Sequence, residues 1–242
     1  MNELVWVGLA GLLTALATGL GALPFAFVRR IGARGIGLAH ALAAGLMLGA
    51  SFGLLAEGSA HGLVQTVVGG AIGAAAIVLS HRLLGEHGHG FAGLQGEHGR
   101  RAALLVLVMT AHSFAEGVAV GVAFGGGQKL AVMITLAIAV HNVPEGLAIS
   151  AVMRPRGASL AACAGWSVVS SLPQPVLALP AFVAVEQARA LLPYGLGFAG
   201  GAMVYMVLFE LLPEAYETLA PRRVGAVISA SLGAMILLQH YL

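Results

Sequence analysis

The chain has 242 residues, 59% of them apolar and only 9% charged, with a mean hydropathy of +0.93. An ordinary soluble domain is about one-quarter charged, so this composition belongs to a polytopic membrane protein. All ten acidic residues are Glu, which excludes chemistry that needs Asp, and the lone Cys163 excludes an internal disulfide or a thiolate metal cluster.

A hydrocarbon core about 30 Å thick takes roughly 20 apolar residues per helix. Apolar stretches fall at 4–28, 36–56, 62–84, 102–125, 129–153, 159–183, 190–213 and 222–242. They predict an all-α integral membrane protein of eight spans, forming one transmembrane domain over 1–242. The first span has no basic leader, and its arginines follow the apolar run, so it does not read as a cleaved signal peptide. The 35 glycines predict close helix packing, because small residues let backbones approach within a bilayer.

With an outside N-terminus, the inward loops hold Arg29, Arg30, Arg34, Arg82, Arg100, Arg101, Arg154, Arg156, Arg222 and Arg223. The outward loops hold only Lys129 and Arg189. Short-loop basic bias sets orientation, so both termini are expected outside the cytoplasm, in a cell (inner) membrane. Between spans three and four, a Gly-rich cytoplasmic loop at about 85–101 carries Glu86, His87, His89, Glu97 and His98. Tracts of this kind bind metal weakly.

Two stretches carry the chemistry. Span four contains Ala111-His112-Ser113-Phe114-Ala115-Glu116-Gly117, and span five contains Val140-His141-Asn142-Val143-Pro144-Glu145-Gly146. Each places a histidine and a glutamate four residues apart, on one helix face. Ionisable residues inside spans are costly and mark function. Two buried carboxylates repel each other unless a proton or a divalent cation sits between them. Carboxylate oxygen with imidazole nitrogen suits Zn²⁺, Fe²⁺ and Mn²⁺, and does not suit Cu⁺.

The surrounding residues add to this. Pro144 has no amide hydrogen for the Val140 carbonyl, which predicts a kink in span five. Gly117 and Gly146 leave space beside each glutamate. Span six carries Ser170-Ser171-Leu172-Pro173-Gln174-Pro175, where a backbone disruption and a carbonyl-type ligand coincide. Met47 in span two offers a thioether. Glu210 and Glu214, near the end of span seven, read as interfacial and outside the central site.

Together with Gly45-Leu46-Met47-Leu48-Gly49-Ala50-Ser51-Phe52 in span two and the stretch from Gly200 to Glu214 in span seven, these motifs resemble the ZIP family of divalent-metal transporters. The resemblance is to its prokaryotic, GufA-like branch, and the most specific piece is His141-Asn142-Val143-Pro144-Glu145-Gly146. It implies import of Zn²⁺, Fe²⁺, Mn²⁺ or Cd²⁺ into the cytoplasm without a cofactor. Spans in a 3+2+3 layout with inverted-repeat character are expected, with an elevator-like shift of spans one, four, five and six against two, three, seven and eight. The metal site maps onto His112, Glu116, His141 and Glu145, with Met47 contributing. A second position maps onto Ser113, Asn142 and Gln174, bridged by Glu116 or Glu145.

The chain departs from that pattern. Ser113 stands where many members have Asn, Asn142 where some have Asp, and Gln174 where Glu is frequent. One well-formed metal site is therefore expected, with the neighbouring position weak or empty. Ala115 replaces the common proline of span four, so that helix is expected to be straighter. The expected partners are metal ions and the lipid bilayer, with no nucleic acid. A homodimer is compatible with such a bundle.

Two other classes share some of these features. An intramembrane metalloprotease uses His-Glu-x-x-His, and no such string occurs, so no enzyme is expected. A haem protein could use His112 and His141, but two adjacent carboxylates make a poor haem pocket.

Overall fold

The computed structural model describes residues 3–28, 30–84 and 96–241. Those residues are helical, with no strand among them. The order is α1 (Glu3–Leu20), a 3₁₀ turn (Leu23–Ala26), α2 (Ala33–Leu84), α3 (Gly96–Gly125), α4 (Gln128–Met153), α5 (Leu160–Ser170), α6 (Pro173–Gln187), α7 (Leu192–Met206), a π turn (Val207–Leu211), α8 (Leu212–Thr218) and α9 (Pro221–Tyr241). Helices satisfy every backbone polar group internally, as hydrocarbon demands. Among the described residues six helical segments are long and apolar enough to cross a membrane: Glu3–Ala26, Ala33–Leu79, Gln128–Arg156, Leu160–Gln187, Arg189–Thr218 and Pro221–Tyr241. Large outward-facing side chains such as Trp6, Leu13, Val64 and Phe209 are apolar. The chain is a multi-pass membrane protein.

At about 1.5 Å per residue, the 52 residues of α2 exceed the bilayer core more than twofold. The helix is broken at Gly62, whose φ of 170° and ψ of 103° are extended, and Thr66 Oγ1 donates to the carbonyl of Gly62 at 2.9 Å. The two arms fold back on each other. A Cβ built at Gly200 would meet the Ser51 carbonyl, and one at Gly201 would meet Gly70. Ser51 and Gly70 thus lie at the same level of α7. Residues 85–95 of the expected histidine-rich loop lie outside the described residues. From Gly96 that stretch is the start of α3, six residues before the expected span.

Two further elements bear on the site. The helix expected at 159–183 is two pieces, α5 and α6, separated at Ser171–Leu172. Pro173 begins α6, where its missing N–H costs nothing. In contrast, α4 runs as one helix from Gln128 to Met153 with Pro144 inside it.

Glycines sort the helices into two groups. In the first, a Cβ at Gly21 would strike the backbone of Val143–Leu147, one at Gly146 the Thr18 carbonyl, one at Gly11 Pro175, and ones at Gly117 and Gly121 the carbonyls of Gln174 and Ala178. These lock α1, α3, α4 and α5–α6 together. In the second, Gly45 fits against Ile228, Gly69 and Gly73 against Tyr194 and Phe198, and Gly197 against Thr66. These lock α2, α7 and α9. Between the groups the contact is different. Gly195 of α7 meets the side chain of Val122, and Ile134, Ile138, Met47, Leu54 and Leu196 fill a shared apolar cluster.

Backbone-level packing tolerates no added methyl group. Gly201→Leu is predicted to lower stability by about 1–3 kcal/mol through overpacking, read as a lower thermal midpoint in detergent. Gly233→Ala, which meets nothing within 4 Å, should leave the midpoint in place. Equal midpoints for the two variants would contradict this packing.

Candidate metal centre

The site is built where α3 and α4 run side by side, closed by the first turn of α6. His112 and Glu116 come from α3, and His141, Asn142 and Glu145 from α4. His112, Glu116, His141, Asn142 and Gln174 are fully buried, and Ser113 and Glu145 nearly so. One ligand atom each from His112, Glu116 and Glu145 lies within 4.8 Å of the others.

The histidine–glutamate pairing crosses between helices. His141 Nε2 donates to Glu116 Oε1 at 2.7 Å, and His112 Nε2 is 3.4 Å from Glu145 Oε1. The same-helix distance from His141 Nε2 to Glu145 Oε1 is longer, at 4.0 Å. Each imidazole therefore serves the carboxylate of the other helix. The polar group therefore draws on both helices at once.

The expected second position is a neutral hydrogen-bond chain. Gln174 Nε2 donates to Glu116 Oε2 and lies 3.4 Å from Ser113 Oγ. Asn142 Nδ2 donates to Gln174 Oε1 at 3.1 Å and to the Thr14 carbonyl at 2.8 Å. The break before Pro173 is what turns Gln174 inward, and Ser171 Oγ meets Thr18 Oγ1 at 2.8 Å beside it. Ser113, Asn142 and Gln174 thus join the group by orienting Glu116, and they add no charge. Met47 is buried in the apolar cluster with Ala115 and Ile138, on the side of α2 that meets the α3–α4 pair.

Buried acceptors at the centre fit a cation. Asn142 Oδ1 and Glu145 Oε1 are buried and accept no hydrogen bond, and His141 Nδ1 makes none. A buried acceptor with no donor is costly, and a metal ion supplies what a donor would.

Glu210, expected at the interface and away from the centre, is beside it. Its Oε2 lies 3.8 Å from His112 Nδ1. The residue sits in the π turn Val207–Leu211, where an extra residue in the helical turn alters the direction of the side chains that follow. Such bulges recur at functional sites. One turn further on, Glu214 Oε2 is 3.0 Å from His40 Nε2. In the sequence, Glu210 lies within the span-seven stretch from Gly200 to Glu214 that matches the family pattern.

The ZIP zinc transporter family model matches residues 79–238, which include both histidine–glutamate motifs. The chain belongs to the ZIP family. This ZIP chain is 42% identical over 233 residues to a putative zinc transporter of Arabidopsis thaliana, covering 95% of the present chain and 38% of that protein. It is 36% identical over 226 residues to the zinc transporter GufA of Myxococcus xanthus, covering 86% and 87% of the two chains. With the zinc transporter ZIPB of Bordetella bronchiseptica it shares 35% identity over 237 residues, covering 90% and 74%. It therefore spans less than half the length of the plant protein and most of the length of both bacterial ones.

If Gln174 acts by holding Glu116, Gln174→Ala should weaken metal binding by about 10- to 100-fold, the usual loss when a residue supporting a ligand is removed. It should leave the number of bound ions unchanged. Calorimetric titration with Zn²⁺ checks both, and a loss of one whole ion per chain would mean that Gln174 belongs to a separate site.

Proposed function

We propose that this chain carries Zn²⁺ across the membrane into the cytoplasm by alternating access, with Fe²⁺, Mn²⁺ and Cd²⁺ as further cargo. The observation that carries the reading is the convergence of His112, Glu116 and Glu145 on one buried point, with His141 bonded to Glu116. Two carboxylates balance a divalent charge, and imidazoles favour transition metals over Ca²⁺ and Mg²⁺. The relatives are named as zinc transporters, which speaks for transport without a cofactor and against the enzyme and haem readings.

In this account His112, Glu116, His141 and Glu145 hold one ion, and Met47 contributes from α2. Ser113, Asn142 and Gln174 form the neutral neighbour, so that position is weak or empty. Glu210, 3.8 Å from His112, receives the ion as it leaves inward. Eight spans in a 3+2+3 layout with inverted-repeat character fit the hairpin at Gly62 and the long α3, within one transporter domain over 1–242. Ten of the twelve basic residues on one side favour both termini outside an inner membrane and a cytoplasmic loop at about 85–101. Lipid surrounds the bundle, and a homodimer is compatible with it.

Glycine packing supports an elevator-like shift. Within each helix group the backbones interlock, whereas between the groups side chains meet, mostly aliphatic ones with the His112–Glu210 contact among them. The α1, α3, α4, α5–α6 group holds the four principal ligands. It can slide against the α2, α7, α9 group without breaking a backbone contact.

Uptake of Zn²⁺ by proteoliposomes tests the reading. Glu145→Ala and His141→Ala should abolish uptake while the protein still inserts and elutes as wild type. Wild-type uptake by either variant would sink the assignment. Histidine binds metal only as neutral imidazole, so uptake should rise with pH between about 5 and 7, and a flat profile would count against imidazole ligands.

A further inference from the structure

A second charged feature lies away from the buried cluster, where the spans end. A cavity of about 310 Å³ opens at the junction of α8 and α9, lined by Arg34, Thr218, Leu219, Ala220 and Arg223. Arg34 belongs to the first turn of α2, and Arg223 to the first turn of α9. The chain between α8 and α9 is extended at Leu219 (φ −121°, ψ 146°), so it arches between the helices. Gly37 of α2 fits directly against Thr218 and Leu219, which brings Arg34 to the same place.

The two guanidiniums lack a counter-charge. Among the described residues neither arginine forms an ion pair or a hydrogen bond. Arg189 pairs with Glu186 at 2.7 Å, Arg154 donates to the Ala158 carbonyl at 2.8 Å and Arg156 to the Val152 carbonyl; what sets Arg34 and Arg223 apart is that they line one cavity together. The carboxylate of Glu214 on α8 is taken by His40. Two like charges around one cavity repel each other, and an anion between them reverses the sign of that interaction. Arginine's planar fork suits a phosphate, whose oxygens accept two parallel hydrogen bonds.

We propose that Arg34 and Arg223, with the arch at 218–220, form a receptor for a phosphate group at the membrane face of the α2, α8 and α9 body. The phosphate belongs either to a lipid headgroup or to free phosphate. The site is separate from the metal centre and stands whether or not the chain carries Zn²⁺.

Native mass spectrometry of the intact protein in mild detergent, titrated with phosphatidylglycerol or phosphatidylcholine, tests this. Wild type should retain phosphatidylglycerol preferentially. Arg34→Gln with Arg223→Gln should weaken it by about tenfold, the loss of at least one charge-assisted hydrogen bond. Arg222→Gln, which removes a neighbouring charge outside the cavity lining, should leave retention unchanged. Arg34→Lys with Arg223→Lys keeps the charge without the fork and should fall between. If inorganic phosphate raises the thermal midpoint of wild type and not of the double Gln variant while lipid retention stays equal, the phosphate chemistry holds and its source is free phosphate. Equal lipid retention in the double Gln variant, with no shift by phosphate, overturns the proposal. Zn²⁺ titration of the same variant shows that its fold and metal centre are intact, so a failure here is distinguishable from a failure of the transport reading.

Discussion

His112, Glu116 and Glu145 converge on one buried point between α3 and α4, with His141 bonded to Glu116, and the surrounding architecture serves that arrangement. In a low-dielectric interior, removing one partner of a charged pair leaves the other uncompensated at a cost of about 3–5 kcal/mol. The crossed contacts, His141 with Glu116 at 2.7 Å and His112 with Glu145 at 3.4 Å, join the two helices. Gln174 and Asn142 extend the connection to α6 and α1. The group is therefore tied together through four helices, while Glu145 Oε1 and Asn142 Oδ1 accept no hydrogen bond. That residual deficit matches what a divalent cation brings.

The same constraint accounts for the abundance of glycine. Polar side chains can meet at one point only if their helices approach closely. Gly146 lets α1 lie against α4 at Thr18, and Gly117 lets α6 lie against α3 at Gln174. The glycine after each motif glutamate thus positions the partner helix that completes the hydrogen-bond chain. On the other side of the molecule, glycines join α7 to both arms of α2. Between these two interlocked groups lie Val122, Ile134, Ile138 and Leu196, whose side chains present no such teeth.

Much of this was legible in the sequence, for identifiable reasons. Ionisable residues at four-residue spacing inside apolar runs are too costly in hydrocarbon to persist as packing alone, so His112, Glu116, His141 and Glu145 stood out at once. Pro173 announced the break that presents Gln174, and the short polar gap before Gly62 announced the turn within α2. Other features depended on three-dimensional contact. Spacing along one helix pairs each histidine with its own glutamate, and only the packing of α3 on α4 crosses them. Glu210 looked interfacial because it lies near the end of its span, and the π turn at Val207–Leu211 has no signature in residue type.

The central claim is that one metal ion sits among ligands drawn from both helices. An anomalous difference map at the zinc absorption edge, from crystals grown with Zn²⁺, tests it most directly. The account predicts one strong peak between α3 and α4, at about 2.0–2.2 Å from nitrogen or oxygen atoms of His112, Glu116 and Glu145. A map with no peak there, and with zinc held elsewhere in the chain, would contradict it.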